Sequence, residues 1–176
     1  MMNSSPIQTI FLAGGCYWGM EELFRHIPGV VHTEVGFSGG HVVNVSYREV
    51  TTGTTGHAET LRVDFDTAQV TLAHLLFEFF RIHNPTTLNQ QGNDRGSQYR
   101  SAIFYLDAEQ RKTAEAVIAA VNASGEWGAP VVTQVTSFNG FYPAEEKHQK
   151  YLVKVPDGYT CHFRRQADLG ESTFVA

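Results

Sequence analysis

Apolar and polar positions succeed one another along the chain in periods that predict a mixed α+β fold. Residues 7–13 read as a buried strand, broken by Gly14-Gly15. A helix is predicted from 17 to 26, stopping before Pro28-Gly29. Residues 30–37 alternate as a second strand that ends at Ser38-Gly39-Gly40. A third strand, 58–65, sets Leu61, Val63 and Phe65 on one face. Thr71 caps a helix whose apolar stripe is Leu72, Leu75, Leu76, Phe79 and Phe80. A fourth strand over 102–106 and a helix capped by Asp107, with Ala114, Val117, Ile118 and Val121 facing inward, come next. A fifth strand is predicted over 131–138, and Pro143 is expected to open a helix running to Tyr151.

The first four strands and their helices follow the order β-α-β-β-α-β. That order predicts a two-layer sandwich with a ferredoxin-like, split-βαβ mixed sheet and helices on one face. Two polar connections interrupt it, 39–57 and 83–100, the first with a short helical turn expected around Tyr47. Connections of this length in a small domain usually carry function. The second is so rich in side-chain amides that it should order itself by hydrogen bonds rather than by core burial. Residues from about 156 to 176 read as an irregular tail on a single domain spanning 1–176.

Composition narrows the classes. With 42% hydrophobic and 18% charged residues the chain is neither disordered nor membrane-spanning. A net charge of -5, with 13 scattered Lys and Arg, argues against nucleic acid as a partner. The first ten residues have no basic or apolar region of a secretory leader, so a cytoplasmic location is expected. Two cysteines, Cys16 and Cys161, are too few for a disulfide framework or a structural zinc site.

Cys16 falls where the first strand turns into the first helix. Unpaired helix N–H groups should favour its thiolate and lower its pKa below the usual ~8.5. Three readings remain open on the residues alone. Cys16 is a reactive thiol; or it is an ordinary buried cysteine; or it forms a hydrolase-like set with His57 and Asp94. A metal module is disfavoured: His74 and Glu78 have helical i, i+4 spacing, but both lie off the apolar stripe, as a solvated face would. No phosphate-binding glycine motif occurs.

One resemblance is more specific than any of these patterns. Gly15-Cys16-Tyr17-Trp18-Gly19 resembles the nucleophile motif of the peptide methionine sulfoxide reductase A family. Val35–Gly40, Tyr47–Val50, Gly53–Glu59, Gln91–Ser101 and Phe141–Gln149 resemble its further signatures, in family order. The resemblance implies reduction of methionine S-sulfoxide, with Cys16 as nucleophile and Glu59 as proton donor to the leaving oxygen. It implies Tyr47 and Tyr99 as phenol donors to that oxygen, Asp94 as a residue positioning substrate and water, and Tyr17 and Trp18 as the methyl pocket. It implies that a Cys16 sulfenic acid is resolved by Cys161 and that thioredoxin or another dithiol supplies the electrons, with no bound cofactor. Oxidised proteins or free methionine sulfoxide are the implied substrates, and a monomer is expected. Two departures bear on the site: Tyr17 stands where Phe is common, and the longer glycine-rich tail with a further cysteine is missing.

Overall fold

The computed structural model describes residues 6–174. The first five residues, part of the stretch read above as lacking a leader, and the last two lie outside it. Strands β1 (Ile7–Gly14), β2 (Val30–Ser38), β3 (Ala58–Asp66), β6 (Ser101–Tyr105), β7 (Gln134–Ser137) and β8 (Phe141–Pro143) form one six-stranded sheet. Its order is β7-β6-β1-β3-β2-β8, with every neighbour antiparallel except β6 and β7. The inner four strands are the split-βαβ arrangement expected from the sequence. Helices α1 (Tyr17–Phe24), α3 (Leu72–Ile82) and α4 (Ala108–Ser124) are the principal helices, and α2 (Tyr47–Val50) is the turn expected around Tyr47. That turn is held by a reciprocal capping box between Ser46 and Glu49. Among the described residues no helix is long and apolar enough to cross a membrane.

Strand alternation divides the core. Ile10, Leu12, Val35, Phe37, Leu61, Val63, Phe65 and Ile103 point to the main core, where they meet Tyr17, Met20 and Phe24 of α1, Leu75, Leu76, Phe79 and Phe80 of α3, and Ala114, Val117 and Val121 of α4. The opposite parity, Phe11, Ala13, Ala58, Ala102 and Phe104, forms a smaller cluster under Phe138 and Phe141. Phe11 stacks on Phe138 with ring centroids 4.3 Å apart.

Two expectations are corrected. The helix predicted to open at Pro143 is instead the end of edge strand β8, paired with Gly36. An edge strand tolerates proline because one side of its backbone needs no ladder partner. Short helical turns follow at Glu146–His148 and at α5 (Tyr151–Lys154), and the Gln149 amide brackets Val35, accepting from its N–H and donating to its carbonyl, both at 2.8 Å. Second, Glu78 is not on a solvated face. It is buried because the tail crosses α3 there: Arg164 clasps its carboxylate through two bonds, and Arg81 bonds it at 2.7 Å. Arg81 also pairs with Glu171, which contacts His74. Two guanidinium groups therefore already neutralise this acidic cluster. The tail is irregular, as expected, and anchored: Phe174 meets Phe77 edge to face, and Arg165 stacks on Trp127 and Phe163.

Residues 83–100 order themselves through amides, as expected. Gln91 donates to and accepts from the Asn84 backbone, Asn84 receives both Thr86 donors, and β4 (Gln90–Gln91) pairs with β5 (Asp94–Arg95).

Candidate active site

Cys16 is the N-cap residue of α1 and is only 7% exposed. Gly15, at φ +95°, makes the turn that places it there, and a side chain at Gly15 would collide with Gln91. The expected lowering of the thiol pKa is not found. The Trp18 N–H does favour the thiolate, but burial outweighs it, and a charged Glu59 would add to the upward push. One backbone donor on an eight-residue helix cannot offset removal of the sulfur from water.

Glu59 continues the row of Leu61, Val63 and Phe65, two residues toward the start of β3. Its side chain therefore turns under the helix layer, at the end of the strand where α1 begins. It is 2% exposed and accepts one hydrogen bond from the Tyr17 N–H at 3.3 Å. Burial holds its pKa up to about 8, against the lowering effect of that bond, so the carboxyl is neutral at neutral pH. Cys16 and Glu59 thus meet at the same strand–helix corner.

Tyr47 and Tyr99 approach from two different loops, and both phenols are half-buried. Burial, then Glu59, pushes Tyr47 up to about 12 and Tyr99 upward as well, so both keep their protons. Trp18 is half-buried beside them, its ring stacked on Tyr151 at 3.8 Å. Tyr17 lies one layer deeper, 1% exposed, against Phe37, Tyr47 and His148, and its hydroxyl has no hydrogen-bond partner.

The tail brings Cys161 to this corner. His162, kept neutral by burial, donates from Nε2 to the Gly14 carbonyl at 2.6 Å, two residues before Cys16. Thr160 and His162 press so closely on Gly19 that a side chain there would clash. The Cys161 Sγ lies 3.8 Å from Asp94, whose carboxylate also accepts from the Tyr159 hydroxyl at 3.2 Å. Both cysteines are free thiols.

Two residues at the site had no role assigned from the sequence. His148 accepts the Trp18 indole N–H on Nδ1 at 3.1 Å and packs against the Tyr47 ring at 4.4 Å. His162 pins the tail. His148 sits in a quoted motif and His162 follows Cys161, which was the only available signal, because what each touches depends on the fold. His57, by contrast, is occupied by backbone: Nδ1 accepts from the Gly40 N–H and Nε2 donates to the Val42 carbonyl. It has no lone pair left for a hydrolase-like base.

A buried thiol, a neutral carboxyl and a second thiol at one helix terminus define a cysteine-based oxidoreductase. Comparison with known proteins identifies which kind. Residues 8–174 match the family model for peptide methionine sulfoxide reductase, and the chain belongs to that family of enzymes. A peptide methionine sulfoxide reductase from Mesorhizobium japonicum is 53% identical over 162 residues, 92% of each chain. The reduced form of Saccharomyces cerevisiae Mxr1 superposes with a TM-score of 0.84 at 36% identity, covering 94% of this chain and 96% of that one. Methionine sulfoxide reductase A of Corynebacterium diphtheriae gives 0.79 at 38% identity, covering 92% and 81%. Mxr1 has also been solved in complex with Trx2 (TM-score 0.60, 24% identity, 94% and 95% covered).

Proposed function

We propose that this enzyme reduces methionine S-sulfoxide, in proteins and as the free amino acid, through a Cys16 sulfenic acid resolved by Cys161. The observation that carries the reading is the corner shared by Cys16, Glu59 and Cys161. The sulfoxide oxygen takes a proton from the Glu59 carboxyl while the Cys16 sulfur attacks the sulfoxide sulfur and gives its own proton back to the carboxylate. The S–O bond to methionine breaks, methionine leaves, and Cys16 carries the hydroxyl as sulfenic acid. Tyr47 and Tyr99, with their protons retained, donate hydrogen bonds to the same oxygen. Trp18, backed by Tyr17, seats the methyl group, and Asp94 positions substrate and water.

The Cys161 thiol then attacks the sulfenic sulfur, releasing water and forming the Cys16–Cys161 disulfide. Thioredoxin is proposed to reduce that disulfide by exchange, a partner suggested by the Mxr1–Trx2 complex. The electrons come from thiols throughout, so the sequence of steps needs no bound cofactor. We place the enzyme in the cytoplasm, as a single catalytic domain that repairs oxidised protein. The decisive experiment is a single turnover with each sulfoxide epimer, with mass spectrometry of the cysteines. One methionine per enzyme and a Cys16–Cys161 disulfide, from the S epimer alone, is the expected result. Turnover that leaves both thiols unmodified would overturn the reading.

Cys161→Ser is expected to release about one methionine per enzyme and then stall with thioredoxin as reductant, because no resolving thiol is left. Counting methionine released against enzyme checks this, and repeated thioredoxin-driven turnovers would remove Cys161 from the scheme. His148→Phe is expected to raise KM about 5- to 10-fold with kcat nearly unchanged, since the Trp18 indole N–H loses its acceptor and the ring its fixed position. His148→Asn, which can restore an acceptor, should recover part of the loss in steady-state assays.

A further inference from the structure

A cavity of about 550 Å³ lies behind the loop that carries Tyr99, walled by residues 87–89, 97, 100 and 134 among others. Its charged group is Arg100. The guanidinium and the Phe104 ring both close on Gly39, where an added side chain would meet each of them. Arg100 donates from Nη1 to the Ser97 carbonyl at 2.9 Å and from Nε to the Gln134 side-chain oxygen at 3.3 Å. Both acceptors are neutral, and a guanidinium has five N–H donors. Among the described residues no acidic side chain forms an ion pair with it, and burial alone displaces its pKa, downward. A half-buried, always-charged fork without a counterion costs free energy that an incoming anion would recover. The rim adds apolar surface: Leu88 is 74% exposed and Val132 39%.

We propose that this cavity is a carboxylate-binding subsite, with the Arg100 guanidinium as its cation and Leu88 and Val132 gripping the chain that bears the carboxylate. A planar fork with free donors matches a carboxylate in a two-bond arrangement. Two sources supply that chemistry: an acidic residue of a polypeptide bound for reduction, or a small free carboxylate. The polypeptide source rests on the proposed function above. Arg100 follows Tyr99 directly, so the subsite borders the loop that brings Tyr99 to the active site.

Acetate is the probe, titrated at constant ionic strength against chloride and followed by amide and arginine Nε NMR signals. Saturable shifts at Arg100 Nε and at residues 87–89 and 97, absent in Arg100→Gln and weakened in Arg100→Lys, are the expected result. No saturable shift in the wild type, or shifts that persist in Arg100→Gln, would overturn the subsite. The lysine variant keeps the charge and serves if the glutamine variant fails to fold. Matched methionine sulfoxide peptides with Glu or Gln at flanking positions separate the sources. A KM about 5- to 10-fold lower for a Glu peptide, erased in Arg100→Gln, assigns the subsite to polypeptide substrates. Equal KM values beside specific acetate binding assign it to free carboxylates. The acetate titration needs no turnover, so it stands or falls apart from the reductase reading.

Discussion

Cys16→Ser will release no methionine above the uncatalysed background, while its thermal unfolding stays close to that of the parent. The exchange keeps a group of similar shape at the N-cap and an acceptor for the Trp18 N–H, so the local fold has little reason to change. The chemistry does change. A serine hydroxyl in this buried corner gives neither a nucleophile soft enough for sulfoxide sulfur nor a sulfenic acid to pass to Cys161. Methionine release by mass spectrometry, beside a circular dichroism melt, tests both halves. Substantial release by a folded Cys16→Ser protein would show that another group attacks the sulfoxide.

Glu59→Gln is the second large effect, an expected loss of about 10²- to 10⁴-fold in the reductive step, the range of a positioned general acid. The amide can still accept the Tyr17 N–H, so geometry is retained and only the transferable proton is lost. The pH dependence has a definite sign. Glu59 has its pKa raised to about 8, so its acid form is present through neutrality and is lost as pH rises past about 8. Cys16 is also raised, so no gain of thiolate compensates in that window. The single-turnover rate of the parent is therefore expected to fall above about pH 8. The glutamine variant should be slow and flat across the same range, because an amide does not titrate. A parent profile level to pH 10, with the variant unimpaired, would mean that the proton comes from elsewhere.

The position of Glu59 also shows how far pattern reading extends. Taken alone, a Glu following a polar loop reads as a surface residue. The Leu61–Val63–Phe65 row, continued by one period, turns the same carboxyl into the core, where it is found at 2% exposure. Cys16 went the other way. Its helix-terminal position was legible, but the sign of its pKa shift was not, since that depends on how much water the surrounding elements exclude. Glu78 departs from its expected solvated face for a similar reason. Helical spacing set it off the apolar stripe, and nothing local shows that Arg164, 86 residues later in the chain, returns to cover it.

Local order thus determined much by itself: the strands and helices of the split-βαβ core, the corner at Gly14–Cys16, the capped turn at Tyr47 and the amide-ordered loop. These follow from periodicity, caps and glycine freedom, which act over a few residues. Tertiary structure alone decided that Pro143 ends an edge strand, that His162 pins the tail to Gly14, that His148 holds Trp18, and that His57 is spent on backbone. Each of those outcomes depends on desolvation or hydrogen bonding between segments distant along the chain or on which sheet edge stays free, and short-range pattern does not encode them.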